Sequence, residues 1–121
     1  MIACTATLVV DLEHLDEFTD GDPALERELA ELYLATAEGY LGELEHKLGS
    51  AQDWRRIAHS LKGASRNLGA SRVAALAEAA EHAPPAPDVL LGIRRELDSV
   101  RSFFARRCVK ATQQPESDPA A

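Results

Sequence analysis

Leu and Ala recur at three- and four-residue spacings from about residue 11 to about residue 107, and no alternating run of β-branched or aromatic residues follows residue 10. An α-helix turns once in 3.6 residues and a strand changes face at every residue, so this spacing commits the chain to helices. The expected fold class is all-α. Breakers and caps divide the pattern into five segments. Asp11 is placed to N-cap a short helix over LEHLDEF, which ends before TDGD. Asp22 caps a long second helix with Pro23 at its first position, where a missing N–H removes no bond. Its apolar stripe is Leu25, Leu29, Leu32, Tyr33, Thr36, Tyr40, Leu44 and Leu48, and Gly49 stops it. Ser50 and Asp53 resemble a capping box opening a third helix, whose inward face is Trp54, Ile57, Ala58, Leu61, Ser65 and Leu68 and whose end is Gly69. From about Ser71 a fourth helix buries Val73, Leu76, Ala77 and Ala80 until PPAP forbids continuation. Pro87 and Asp88 start a fifth with the stripe Val89, Ile93, Leu97, Val100 and Phe104, and Arg106 and Arg107 in its last turn suit the negative end of the helix dipole.

Short connections place successive helices antiparallel, which predicts an antiparallel up-down four-helix bundle with the short N-terminal helix as an addition covering one end. Residues 1–10 form an N-terminal arm, 11–107 the bundle, and 108–121 a polar, proline-containing tail whose composition predicts disorder. The 121 residues suffice for one domain with its own core, and a 45% apolar fraction supports a globular fold. A formal net charge of -7 argues against a general nucleic-acid partner or an anionic membrane surface. Cys4 and Cys108 lie near opposite ends without a CxxC pairing, so they indicate neither a disulfide framework nor a zinc site and read as free thiols. The opening MIACTATLVV lacks a basic start, is too short to span a bilayer and runs into Asp11. A cytoplasmic, free-standing monomer is expected.

The stretch IAHSLKGASRNLGA, residues 57–70, departs from an ordinary amphipathic helix. Gly63 costs a helix roughly 1 kcal/mol against Ala, and His59 lies one turn before it. With Trp54, Ile57, Ala58, Leu61 and Leu68 inward, His59 falls on the wet face, where Arg55, Arg56, Lys62 and Gly63 are its neighbours three and four residues away and Arg66 follows one turn on. A glycine beside an imidazole clears space for a reacting group. Surrounding cations favour a ring that keeps a lone pair for nucleophilic attack, and Lys62 can reach an anion bound on it. Phosphoryl transfer asks of a protein mainly positioning and charge neutralisation, so this set is close to a minimal phosphoryl acceptor.

AHSLKGASRNLGA resembles the signature of histidine-containing phosphotransfer (HPt) domains, which run AH, any residue, LKG, small residues, then LGA. The match covers Ala58, His59, Leu61, Lys62, Gly63, Ser65, Leu68, Gly69 and Ala70, and TDGDPALERELAELYL is similar to the family's Gly-Asp turn opening a Leu-striped second helix. The resemblance spans roughly residues 11–107. It implies that His59 accepts a phosphoryl group from an aspartyl phosphate on a receiver domain and gives it to another receiver's aspartate, within a two-component phosphorelay. It implies also that Lys62 steadies the phosphoryl oxygens, that Gly63 admits the receiver's loops, and that the surface of the second and third helices is the docking face. The implied partners are receiver domains of response regulators or a hybrid histidine kinase. No cofactor is implied for this chain, since Mg²⁺ belongs to the receiver. Ala64 departs from the pattern, where many members carry a small hydroxyl residue. Arg55, Arg56 and Arg66 lie outside the signature and are candidate partner contacts.

Neither a GxxxxGK[ST] loop nor a kinase-type glycine loop occurs, so an intermediate is expected rather than an ATP-using enzyme. The alternative is a scaffold that docks a receiver or kinase without carrying phosphate; the intact His59, Lys62 and Gly63 speak against it. Glu43 and His46 make one ExxH spacing, but a di-iron bundle needs a second copy and two more inward glutamates. No metal site is expected. His46 and His82 fall near helix C-termini, where dipole reasons account for them, and His14 carries no further signal. Gly39 and Gly42 in AEGYLGE fit close helix contact, a bend or a flattened docking surface.

Overall fold

The computed structural model of the chain describes residues 9–113, with side chains through Arg107. Five helices follow one another: α1 (Leu12–Thr19), α2 (Pro23–Glu45), α3 (Ala51–Leu68), α4 (Ser71–Glu81) and α5 (Pro87–Gln113). No strand occurs among the described residues. Each of α2, α3 and α4 packs on the next, α5 returns to α2, and α1 contacts α2 and α3. The four longer helices thereby close a ring around one core, leaving α3 flanked by α2 and α4 with its third side in solvent.

Local chemistry starts and stops these helices where the caps predict, with two exceptions. The Asp11 carboxylate accepts from the His14 N–H at 3.3 Å, Asp22 from Ala24 at 3.0 Å, and the Ser50 hydroxyl from Asp53 at 3.4 Å. Gly69 ends α3 at φ 96°, and its N–H reaches the Arg66 and Ser65 carbonyls. A Cβ there would stand 2.9 Å from the Asp11 carbonyl oxygen, and the Asp11 N–H donates to the Gly69 carbonyl at 2.8 Å. Glycine is therefore required twice, by conformation and by the close approach of α1's entry to α3's exit. The first exception is the end of α2. It lies at Glu45, four residues before Gly49, because the His46 ring donates from Nδ1 to the Gly42 carbonyl at 2.8 Å and satisfies a terminal acceptor. The second is α5, which continues past residue 107 to Gln113. Arg106 and Arg107 are thus not in its last turn, and Arg107 instead forks onto Glu26 of α2 at 2.7 and 2.9 Å. Of the expected tail, 108–113 is helical; residues 114–121, residues 1–8 of the arm with Cys4, and the side chain of Cys108 lie outside the described residues. Val10 of the arm is buried in the core.

The inward face of α3 is the expected one: Trp54, Ile57, Ala58, Leu61, Ser65 and Leu68 are all buried. That of α2 is not. Its buried line is Ala30, Tyr33, Ala37, Leu41 and Leu44. Of the expected stripe, Leu25, Leu29, Thr36 and Tyr40 are only half-buried, Leu32 is 64% exposed, and Leu48 lies beyond the helix and exposed. A helix wedged between two others seats alanines where the axes approach closely, so counting large apolar side chains misplaces its face. On α4 and α5, Leu76 and Val89 are half-buried while Ala74 and Leu90 join the core.

Two buried polar contacts lock α3 in rotation. The Trp54 indole N–H donates to the Ala80 carbonyl at 2.9 Å, fixing α3 on α4, and the Tyr33 hydroxyl meets Ser65 Oγ at 2.7 Å, fixing it on α2. Burial pushes the Tyr33 phenol up to about 12, against the opposing hydrogen bond from Ser65. Each large side chain buried here contributes roughly 1.5–3 kcal/mol, and the hydrogen bonds decide which residues of α3 are left facing water.

Candidate functional site

Rotation fixed in this way leaves His59 on the solvent face of α3, its side chain 67% exposed. Its Nδ1 lies 3.0 Å from Glu81 Oε2, at the last residue of α4. The other oxygen of the same carboxylate, Oε1, is 2.8 Å from Lys62 Nζ, and both of those side chains are only 13% exposed. Residues three apart on a helix stand about 5–6 Å from each other, so one carboxylate arriving from α4 spans both. The hydrogen bond from Lys62 holds the Glu81 carboxyl below the usual carboxylate range, against the upward push of partial burial, and the bond from His59 adds to the lowering. An ionised carboxylate only accepts. Nδ1 must therefore be the protonated nitrogen of the bond, and Nε2 of the neutral ring carries its lone pair outward.

The sequence places His59, Lys62 and Gly63 together, and so does the structure. The electrostatics differ from the expected cationic surround. The charged group on the imidazole is an anion, Glu81, while Arg56 is held by Asp53 at 3.5 Å and Arg66 by Glu78 at 3.0 Å. Lys62 is not a free cation in this state, since Glu81 holds it. Glu81 is 22 residues from His59 and on another helix, which is why no local pattern announces it. The half-burial of Lys62, whose ammonium there requires an anionic partner, is itself visible only in the folded chain.

Gly63 is exposed, and a Cβ built there would meet no heavy atom within 4 Å. Nothing among the described residues requires its glycine. It leaves a notch open to solvent beside His59, at a cost to the helix that no internal packing recovers. Beyond the notch lies a groove of about 390 Å³ between α1, α2 and α3, walled by Phe18, Leu29, Leu32, Tyr33, Ala64 and Leu68 among others. Phe18 and Leu32 are 55% and 64% exposed on its rim. Leu29 and Leu32 of these walls belong to the α2 stripe that the sequence assigns to the core. The His14 ring supports this edge, donating from Nε2 to the Asn67 carbonyl at 3.0 Å and meeting Phe18 edge-on at 5.1 Å between centroids. Gly39 and Gly42 also face open space.

Among the described residues no group of three or more His, Cys, Asp or Glu is arranged to hold a metal ion, and His46 of the ExxH spacing is committed to Gly42. No described helix is long and apolar enough to cross a membrane.

Comparison with known proteins points to one family. The model of the Hpt domain family matches residues 28–103. The crystal structure of histidine-containing phosphotransfer protein B (HptB) from Pseudomonas aeruginosa PAO1 is similar at a TM-score of 0.76 and 27% sequence identity, over 84% of this chain and 95% of that one. Comparison with curated protein sequences gives no significant match.

Proposed function

The chain belongs to the Hpt domain family, and from that premise we propose that it is a phosphorelay intermediate whose His59 takes a phosphoryl group from one receiver-domain aspartyl phosphate and passes it to another. The observation that carries this reading is the His59–Glu81 bond at 3.0 Å, which leaves Nε2 as the nucleophile in solvent. The Nε2 lone pair attacks phosphorus, the bond from phosphorus to the aspartyl oxygen breaks, and the carboxylate leaves with its electron pair. The Nδ1 proton stays where it is. Positive charge then grows on the ring as the N–P bond forms, and the ionised Glu81 stabilises it. Lys62, one turn away, turns from Glu81 to the phosphoryl oxygens as these arrive. Reversal onto a second aspartate restores the starting state.

In this reading the receiver docks on α2 and α3, with Phe18 of α1 and Leu32 of α2 as apolar contacts, and Gly63 admits its loops to within reach of Nε2. The receiver supplies Mg²⁺. The helices run alternately up and down with α1 as the added element, and the protein works as a cytoplasmic monomer. Arg56 and Arg66 act at the edge of the interface, where each must exchange an internal carboxylate for a partner group.

The test is to mix the protein with receiver domains carrying labelled aspartyl phosphate, with His59→Gln beside wild type. Acid-labile, base-stable label on wild type alone is the expected result. A folded wild type that stays unlabelled across a broad panel of receivers would overturn the reading in favour of a docking scaffold.

A further inference from the structure

Four cations share the wet face of α3, and three are already matched within the chain: Arg56 by Asp53 at 3.5 Å, Lys62 by Glu81 at 2.8 Å and Arg66 by Glu78 at 3.0 Å. Arg55 is exposed, and among the described residues no carboxylate pairs with it. Arg27, Arg95 and Arg106 are likewise unmatched among the described residues but lie on α2 and α5, whereas Arg55 stands on the helix that carries the reactive histidine. Arg55 also lines a concavity of about 610 Å³ between the start of α3 and the α4–α5 turn, together with Glu81, His82, Pro84 and Pro85. Glu81 is neutralised by Lys62 before a partner arrives, and once Lys62 turns to the phosphoryl group the positive charge growing on the His59 ring takes its place, so the carboxylate does not repel an incoming anion there.

Helical side chains lean toward the N-terminus of their helix. Arg55, one turn before His59, accordingly lines the concavity together with Ala51 at the start of α3. Its place suits a group on a docked partner better than a phosphoryl on Nε2. Along α3 the apolar groove lies on one side of His59 and this concavity on the other, and Ala64 and Arg55 are about 14 Å apart at 1.5 Å per residue. A typical interface of about 800 Å² per partner covers both.

Resting on the phosphotransfer reading above, we propose that Arg55 is a specificity residue of this site, pairing with a carboxylate of the receiver domain that docks over His59. The occupant is acidic by charge complementarity, and a docked receiver would itself cover the open concavity around the guanidinium.

The experiment measures transfer from an acetyl-phosphate-charged receiver domain to wild type, Arg55→Gln, Arg55→Lys and Arg66→Gln, as maximal rate and half-saturating receiver concentration. Phosphoramidate loading and the half-life of the phosphohistidine, both without a receiver, run beside it. Arg55→Gln is expected to raise the half-saturating concentration roughly threefold to tenfold, the range of an exposed but partly shielded pair, with the maximal rate, loading and half-life unchanged. Added salt should weaken wild type toward the variant, and Arg55→Lys should recover most of the loss. An unchanged half-saturating concentration overturns the proposal. So does a shortened half-life without receiver, which would assign the guanidinium to the phosphoryl group. Failure of wild type to accept phosphate from phosphoramidate and from every receiver would refute the phosphotransfer reading itself and this inference with it.

Discussion

Gly63→Ala should make the protein more stable and worse at its task. The position is helical and exposed, and an added Cβ finds nothing within 4 Å, so the substitution gains the helix propensity of alanine without a clash. That difference is roughly 1 kcal/mol, and for a domain of this size it raises the melting temperature by about 4–6 °C. Transfer from a receiver should fall at least tenfold, because the methyl group fills the notch beside His59 and a displacement near 1 Å of the reacting groups is enough to cost that much. Loading by phosphoramidate, a small donor that needs no docking, should stay close to wild type. Gly92→Ala is the control: it too faces open space, but on α5, which does not pack on α3. It should stabilise by a similar amount and leave transfer unchanged. The assays are thermal denaturation and receiver-to-histidine transfer under single-turnover conditions. A Gly63→Ala protein that is less stable than wild type, or that transfers at the wild-type rate, would refute the argument that this glycine is kept for a partner's approach.

Four further outcomes follow from the polar contacts. Ser65→Ala leaves the buried Tyr33 hydroxyl without its 2.7 Å partner, and denaturant titration should show a loss of about 1–3 kcal/mol. Because burial raises the Tyr33 phenol to about 12, its contribution to stability is complete below the unfolded value near 10 and is lost as pH rises from there through 12; stability should fall across that window, and less steeply in Tyr33→Phe. Glu81→Gln retains an acceptor for Nδ1–H but removes the charge. Transfer should slow while the ring keeps the same tautomer by nitrogen NMR, and a full wild-type rate would remove Glu81 from the mechanism. In wild type the lowered Glu81 carboxyl stays ionised until pH falls below the usual carboxylate range, so the tie between α3 and α4 is present above that range and released only beneath it, as a carbon-detected titration of its carboxyl would show.

The parts of this molecule that are legible in sequence are those governed by neighbours along one helix. The α3 face is read correctly because a strong 3.6-residue pattern, a serine cap and a terminal glycine all agree, and once that face is fixed the exposure of His59 and Gly63 on one side follows, whereas the half-burial of Lys62 under Glu81 does not. The α2 face is read only in part, at Tyr33 and Leu44, because two helices press on it and alanines, carrying little pattern, fill the other contacts; Leu32 consequently ends exposed at the groove, and Leu29 lines it half-buried against the edge of the core. The His46 cap is hidden because a side chain, not a glycine, closes the helix. Glu81 is hidden for a different reason. Its role exists only after α4 folds back along α3, so the anion that sets the state of the imidazole is a tertiary fact.

The central claim is that Nε2 of His59 carries the phosphoryl group while Nδ1 keeps its proton on Glu81. Phosphorus- and nitrogen-resolved NMR of the receiver-charged, nitrogen-labelled protein tests it most directly. The account predicts one phosphorus-coupled ring nitrogen, Nε2 of His59, with Nδ1 still protonated and none in His59→Gln; coupling at Nδ1, or at His14, His46 or His82, would contradict it.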